Sequence, residues 1–230
     1  MASTYLSRTS SVNSTSETKA TLSVWIKKSS TSSDGSGQRL FGNTKTDDTD
    51  IRTVVFFDNY KFRLYNDGAT RLLSTAQYRD FSAWYHLVIE WDLTQATASD
   101  RIKVYINGER ITAFDTADYP AQNATNYIPN FGYMAVGANI YSGSPENYFD
   151  GYMSHFHFID GTAYDASTFG ETDANGVWTP KTSPSVTYGT NGFFLKFENS
   201  GSMGTDSSGN ANNFTVNGTL TQTVDTPSNV

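Results

Sequence analysis

The chain has 230 residues, no cysteine and a formal net charge of −7. The acidic balance argues against a nucleic-acid binder, which needs a basic surface to neutralise phosphates, and the lack of cysteine excludes disulfides and thiolate metal sites. Because no apolar run approaches the ~20 residues of a membrane span, and MASTYLSRTS lacks the apolar core of a secretory signal, we expect neither membrane insertion nor a signal peptide.

Short segments with alternating apolar and polar residues predict strands along the whole chain, with no amphipathic helix. In chain order the predicted strands are Thr21–Lys27, Arg39–Gly42, Ile51–Phe57, Lys61–Tyr65, Thr70–Ser74, Trp84–Asp92, Arg101–Ile106, Gly132–Ala138, Tyr148–Ile159, Gly192–Phe197 and Asn213–Leu220. The Asn107-Gly108 pair is typical of a tight hairpin. Strands joined by turn-rich loops predict an all-β antiparallel sandwich. We assign residues 1–220 to this domain and residues 221–230 to a polar C-terminal tail or linker.

For two of the predicted strands, the alternation assigns each side chain to one face of the sheet. Trp91 shares a face with Leu87 and Ile89, and we expect that face to be core. Strict alternation along the strand that ends at Ile159 predicts one face with Tyr152, Ser154, Phe156 and Phe158, and the other with Met153, His155, His157 and Ile159.

Four stretches are predicted as loops: Ser29–Gln38, Thr44–Asp50, Asp115–Asn130 and Gly170–Thr190. The second and third are candidates for a binding rim, because binding residues are commonly mounted on loops of a rigid scaffold. Trp178 in the fourth is expected to anchor that loop to the flank of the sandwich. Asp165 is expected to cap a short helical turn that begins at Ala166.

Several segments resemble laminin-G-like, concanavalin A-like jelly rolls. ATLSVWIK is similar to their opening strand, WYHLVIEWD followed by RIKVYINGERI to their central hairpin, and YFDGYMSHFHFIDGTAYDASTF to their closing segment. More specifically, YLSRTSS, FGETDANGVWTPK, YGTNGFFLKF and DSSGNANNF together resemble a module of structural proteins of marine and cyanobacterial tailed phages. Gly192–Asn210 departs from the family pattern, because a similar element opens many such domains; we expect the final strands to pair beside the first.

The resemblance implies a laminin-G-like antiparallel jelly roll in a non-catalytic phage virion structural protein: a tail-fibre, spike or capsid-surface module. Such a protein would be made in the host cytoplasm, reside in the virion among other virion proteins, and bind a host-surface glycan. We expect a homo-oligomer in the virion, a trimer. Two alternatives remain open: a capsid decoration protein that binds only virion subunits, and a degenerate glycoside hydrolase.

Sugar recognition by this fold uses aromatic rings for the apolar face of a pyranose, with amides and carboxylates for its hydroxyls. The candidate carbohydrate-binding residues on the predicted rim are Tyr119, Asn126, Tyr127, Asn139, Tyr141 and Tyr148. Ordinary loop packing is the alternative interpretation of these residues.

A near-match to a catalytic motif begins at Glu90. Laminarinase-type hydrolases carry E-x-D-x-x-E and need two carboxylates about 5 Å apart. Here Glu90 and Asp92 are followed by Gln95, so the general acid is missing and we expect no enzyme.

Metal binding has two candidate chemistries. His155 and His157 have i, i+2 spacing, but without a third ligand we interpret them as partly buried sheet residues, and predict no cofactor. Calcium prefers oxygen ligands, and two acidic groups offer them: Asp47, Asp48 and Asp50, and Asp206 with Asn210. The alternatives are a solvated acidic loop for the first group and a turn held by Asx hydrogen bonds for the second.

Overall fold

The computed structural model describes residues 4–10, 12–30, 37–44, 52–129, 132–141 and 144–227. Within these residues the strands are β1 (Tyr5–Ser10), β2 (Lys19–Lys28), β3 (Gln38–Thr44), β4 (Arg52–Asp58), β5 (Lys61–Asn66), β6 (Ala69–Ser74), β7 (Tyr85–Asp92), β8 (Ile102–Ile106), β9 (Glu109–Ile111), β10 (Phe114–Ala117), β11 (Gly132–Val136), β12 (Asn139–Tyr141), β13 (Ser144–Glu146), β14 (Gly151–Asp160), β15 (Gly170–Thr172), β16 (Trp178–Pro180), β17 (Phe193–Leu195) and β18 (Thr215–Asn217). Two single 3-10 turns accompany them, at Ala98–Asp100 and Ala166–Thr168. None of the described helical segments is long or apolar enough to cross a bilayer.

Two large antiparallel sheets pack face to face around one main core. The eight-stranded sheet has the order β10-β6-β5-β4-β3-β11-β1-β18, and the six-stranded sheet has the order β17-β14-β2-β7-β8-β9. Two further hairpins, β12–β13 and β15–β16, lie outside them. Because β18 pairs with β1, the late strand lies beside the first, as expected. The predicted antiparallel β-sandwich jelly roll is confirmed.

Each of the eleven predicted strands overlaps a strand of the structure. The prediction missed β1, β9, β10, β12, β13, β15 and β16, most of which have only three or four residues and therefore show no measurable period. Gly170–Thr190 is not one continuous loop, because it contains the β15–β16 hairpin, and Asp115–Asn130 begins inside β10. The turn at Asn107-Gly108 is confirmed: φ values of +51° and +84° identify the type I′ geometry that glycine favours at its second position.

The core face predicted for β7 is confirmed. Leu87, Ile89 and Trp91 are fully buried in the cluster between the sheets. Facing them across the sandwich are side chains of the eight-stranded sheet such as Phe41 and Phe62, which are also fully buried.

The alternation predicted for β14 is wrong beyond Ser154, because the strand contains a β-bulge. Ser154 pairs with Trp25 and His157 pairs with Ser23, so His155 and Phe156 together oppose Val24. His155 adopts φ +48° at this position. The extra residue reverses the alternation. The residues of β14 that contact the main core are consequently Met153, Phe156 and Phe158, whereas His157 and Ile159 lie on the outer face.

A second apolar layer covers the outer face of the six-stranded sheet. Val88, Ile159 and Phe169 are buried in it, and Trp178 packs against them. Trp178 Nε1 donates a hydrogen bond to His86 Nδ1 at 3.0 Å, which confirms the predicted anchoring of this segment. Burial, followed by the proximity of His155, lowers the pKa of His86 to about 3, so the ring is neutral and accepts this bond.

Asp165 precedes the 3-10 turn as predicted, but its side chain does not cap a backbone amide. Its carboxylate instead accepts a hydrogen bond from Ser167 Oγ at 2.7 Å. The turn is closed by backbone bonds, among them Phe169 N–H to Ala166 O at 3.1 Å.

Lys28 is a buried cation surrounded by aromatic rings. Its ammonium lies 4.8 Å from the centroid of Phe57, 5.8 Å from that of Tyr60 and 5.7 Å from that of Tyr85, and it donates to the carbonyl oxygen of Tyr78. No carboxylate among the described residues forms an ion pair with it. Burial lowers the pKa of Lys28 to about 8.

The depressed pKa of Lys28 predicts a rise in stability at alkaline pH. Because the unfolded chain still binds this proton between pH 8 and about 10.5, the free energy of unfolding should increase across that window by up to about 3 kcal/mol. The stabilisation is complete above pH 10.5 and lost as the pH falls through 8. Urea titrations of wild type and Lys28→Met at several pH values measure this contribution as their difference. Parallel pH profiles for the two proteins would contradict it.

Candidate functional site

A groove of about 780 Å³ lies at one edge of the sandwich. Its walls come from the start of β1, the first half of β14, the segment around β17 and the residues that follow β18. This volume falls within the roughly 300–1,000 Å³ of typical ligand sites. The groove is therefore the candidate functional site.

Two aromatic pairs line the groove. The ring centroids of Tyr5 and Tyr148 are 6.0 Å apart, and those of Trp84 and Tyr152 are 6.4 Å apart. Tyr152 is 39% exposed and the other three rings are half-buried. Because Tyr148 and Tyr152 are four residues apart, their α-carbons are separated by at most about 14 Å. Each ring combines an apolar face with a polar group at its edge, which suits a ligand with both kinds of surface.

The start of β14 positions Tyr148 and Tyr152 on either side of a close strand contact. Gly151 adopts φ +153°, and a Cβ there would lie 2.2 Å from the carbonyl oxygen of Lys27, so only glycine permits this approach of β14 to β2. Asp150 N–H donates to Gln38 Oε1 at 2.7 Å, and Phe149 N–H donates to Gly137 O at 2.8 Å. These bonds fix the backbone between the two tyrosines.

The C-terminal segment forms one wall of the groove. Asp225 accepts hydrogen bonds from Trp84 Nε1 at 3.0 Å and from Lys27 Nζ at 2.8 Å, and these two donors lower the pKa of its carboxyl group. Gln222 Nε2 donates to the carbonyl oxygen of Glu198 at 2.8 Å. Residues 221–227, which we predicted as tail or linker, thus contact the sandwich in this structure. The domain boundary at Leu220 itself stays a prediction.

The bulge in β14 places His155 in the groove wall. Its Nδ1 lies 2.7 Å from Ser154 Oγ. Burial, followed by the charge of Lys196, lowers the pKa of His155 below its usual value. The imidazole therefore enters the groove as a neutral polar group at neutral pH.

The structure places the six predicted carbohydrate-binding residues in separate regions. Tyr148 lines the groove, and its hydroxyl donates to Pro145 O at 3.1 Å, next to the hairpin that carries Asn139 and Tyr141. Asn139 is buried and donates to Glu146 at 3.0 Å, whereas Tyr141 is 49% exposed.

The other three lie near β5 and β6. Asn126 accepts a bond from Asn66 at 3.2 Å through its carbonyl oxygen, the Tyr127 ring lies 5.4 Å from the Arg71 guanidinium, and Tyr119 packs against the core. β6 lies three strand spacings, about 14 Å, from β3, on which the Asn139 hairpin packs. A glycan-binding role for the six residues stays a prediction.

Sequence reasoning missed most of the groove. Tyr5, Trp84, Tyr152 and Asp225 come from four distant parts of the chain. The only sequence signal was aromatic residues at the ends of predicted strands, and such residues are equally frequent in ordinary packing.

The carboxylates of the hydrolase-like motif are committed to structural contacts. Glu90 is buried, accepting hydrogen bonds from Lys103 Nζ and Tyr105 OH, each at 2.9 Å. Asp92 accepts bonds from Thr94 and Gln95. Burial would raise the pKa of Asp92, but these hydrogen bonds outweigh it and hold the pKa below its usual value.

Replacement of Glu90 with glutamine tests this structural assignment. We expect a loss of about 1 kcal/mol in the free energy of unfolding, because the amide can still accept a hydrogen bond from Tyr105 but loses the ion pair with the partly exposed Lys103. Thermal unfolding measures the loss, and a reducing-sugar assay on laminarin measures hydrolysis. Hydrolysis by the parent that disappears in Glu90→Gln would overturn the non-catalytic assignment.

No group of three or more metal-binding side chains occurs among the described residues. His157 Nδ1 instead contacts Tyr188 OH at 2.9 Å. The Asp206 carboxylate accepts bonds from the amides of Phe194, Ser208 and Asn212 and from the Ser208 hydroxyl. These donors occupy the oxygens that calcium would need and support the turn interpretation of Asp206 with Asn210. Asp47, Asp48 and Asp50 lie outside the described residues.

The two-sheet antiparallel architecture is that of a β-sandwich jelly roll. The chain belongs to the concanavalin A-like lectin/glucanases superfamily, whose Laminin_G_3 family model matches residues 2–168. The predicted laminin-G-like membership is thus confirmed. The match ends before β15, so the groove walls around β17 and after β18 lie outside it.

Solved structures share the fold at low sequence identity. One of them is a Bacteroides ovatus protein described as a putative carbohydrate binding protein. It superposes on this chain with a TM-score of 0.59 at 16% identity, over 97% of this chain and 58% of that one. A heptameric SAP-like pentraxin from Limulus polyphemus has a TM-score of 0.48 at 16% identity, over 70% of this chain and 71% of that one. The CBM40 of the Ruminococcus gnavus IT-sialidase has a TM-score of 0.47 at 16% identity, over 66% of this chain and 80% of that one. A search of curated proteins found no significant match.

Proposed function

We propose that the chain is a non-catalytic glycan-binding module whose ligand lies in the groove at the sandwich edge. The observation that carries this proposal is the two aromatic contacts, Tyr5 with Tyr148 and Trp84 with Tyr152, in the lining of a groove of about 780 Å³. The superfamily and the stated role of the Bacteroides ovatus protein support it.

The polar groups of the groove suit sugar hydroxyls. The residues that line it include the polar residues His155, Asp150, Gln222 and Thr223. Hydroxyl groups of a sugar both donate and accept, so a mixture of acceptors and donors around aromatic rings matches their chemistry. Glu90, the carboxylate of the hydrolase-like motif, is held in a structural ion pair with Lys103 and is not among the residues that line the groove.

We further propose that this module belongs to a tailed-phage virion, as part of a tail fibre, spike or capsid surface that binds host-surface glycan. Support comes from the motif resemblance of YLSRTSS, FGETDANGVWTPK, YGTNGFFLKF and DSSGNANNF. In a virion, a homotrimer would raise the avidity of weak single sites by roughly 10²–10⁴. The alternative, a decoration protein that binds only virion subunits, predicts recovery with capsids and no glycan binding.

The experiment is a glycan array probed with the purified 230-residue chain, followed by calorimetric titration of each hit. We expect saturable binding to oligosaccharides that an excess of the free sugar abolishes. An array without any such hit would overturn the glycan-binding proposal. Mass spectrometry and reconstruction of virions that carry the protein test its location and symmetry, and a single symmetry-free copy would contradict the trimer.

A further inference from the structure

The described residues that line the groove include carboxylates, and the one lysine among them is ion-paired. Asp150, Glu198 and Asp225 supply three negative charges, and Lys196 is the only lysine or arginine among the described residues that line it. Lys196 Nζ lies 3.6 Å from Glu198 Oε1. The chain as a whole carries a formal charge of −7.

Lys27, which does not line the groove, is ion-paired with the groove residue Asp225. Lys27 Nζ donates to Asp225 at 2.8 Å, and the same carboxylate holds Trp84 on its other oxygen at 3.0 Å. Recognition of a sugar carboxylate or sulfate normally uses a guanidinium or ammonium group that is free to bind it. An anionic sugar would here have to compete with a protein carboxylate for either lysine.

We infer that the groove discriminates by charge: it binds uncharged oligosaccharides and rejects glycans that carry carboxylate or sulfate groups. This inference rests on the proposed glycan-binding function and names the ligand class of the same groove. Like charges brought together at a binding interface disfavour the complex, and at low ionic strength this repulsion is least screened. The Lys27–Asp225 and Lys196–Glu198 pairs are therefore specificity-determining contacts rather than anchors for the ligand.

The test compares uncharged and acidic sugars of matched size. Titrations of the 230-residue chain use fucosyllactose against sialyllactose and cellohexaose against hexagalacturonate, with an array of uncharged and acidic glycans extending the panel, all at low salt. We expect acidic members to bind at least about tenfold more weakly than their uncharged counterparts, with the difference shrinking as salt is added. Acidic glycans bound as tightly as uncharged ones would overturn the inference and leave the proposed function standing. An array with no hit in either class would overturn both.

Glu198→Gln supplies the second arm, because it frees Lys196 without altering the aromatic rings. We expect its affinity for the acidic sugars to rise at least about threefold relative to its affinity for the matched uncharged sugars. Asp115→Asn is the matched control: it changes the net charge equally and frees Lys61 at the far edge of the eight-stranded sheet. If both variants gained the same affinity for acidic sugars, net charge alone would explain the effect, and the assignment to the groove would be overturned.

Discussion

Replacing Trp91 with alanine is expected to lower the free energy of unfolding by about 3–5 kcal/mol, the largest stability effect we predict. The indole is fully buried in the main core, with Leu87 and Ile89 on the same face of β7. Truncation removes most of its apolar contacts and leaves a cavity that two hydrogen-bonded sheets cannot close by collapsing. Urea unfolding followed by circular dichroism measures the loss.

Two variants separate cavity formation from other effects. Trp91→Phe keeps most of the ring volume and removes an indole N–H that has no hydrogen-bond partner among the described residues, so its cost should be well below that of alanine. Trp84→Ala, at a half-buried ring, should also cost less. A loss under about 1 kcal/mol for Trp91→Ala would show that this face of β7 is not core.

Tyr152→Ala is expected to weaken oligosaccharide binding by at least about thirtyfold, the largest functional effect we predict. The ring is 39% exposed in the groove beside Trp84, so it can offer its face to a ligand. Aromatic anchors at the centre of a binding site commonly contribute about 2 kcal/mol or more, which corresponds to that factor. Calorimetric titration with the array hits measures it.

Exposed tyrosines elsewhere provide matched controls. Tyr133, at 42% exposed, lies on β11 and is not among the groove-lining residues, so Tyr133→Ala should bind normally. Tyr141, at 49% exposed, belongs to the rim predicted from sequence. If Tyr141→Ala abolished binding while Tyr152→Ala did not, the ligand would lie on that rim rather than in the groove.

The sandwich was predictable where a strand is long enough to show a period. Thr21–Lys27 and Trp84–Asp92 alternate clearly, and the turn at Asn107-Gly108 requires positive φ, which the residue types reveal. The face of β14 was mispredicted because the bulge at His155 arises from pairing with β2, a contact between residues distant in sequence. β12, β13, β15 and β16 are too short for any pattern to identify.

The site was less predictable than the fold, because no local pattern encodes it. Trp84 meets Tyr152 and Asp225 only after β14, β7 and the C-terminal segment have been assembled. Reasoning from loop position favoured tyrosines and asparagines that the structure divides between two regions, and only Tyr148 of those six lines the groove. The sequence did not indicate Asp225 as a site residue.

The most direct test of the glycan-binding account is a crystal structure of the chain with an uncharged oligosaccharide from the array. We predict electron density for sugar rings between the Tyr5–Tyr148 pair and the Trp84–Tyr152 pair, against the wall that contains Asp225. A sugar bound instead beside Tyr119, Asn126 and Tyr127, with the groove empty, would contradict the account.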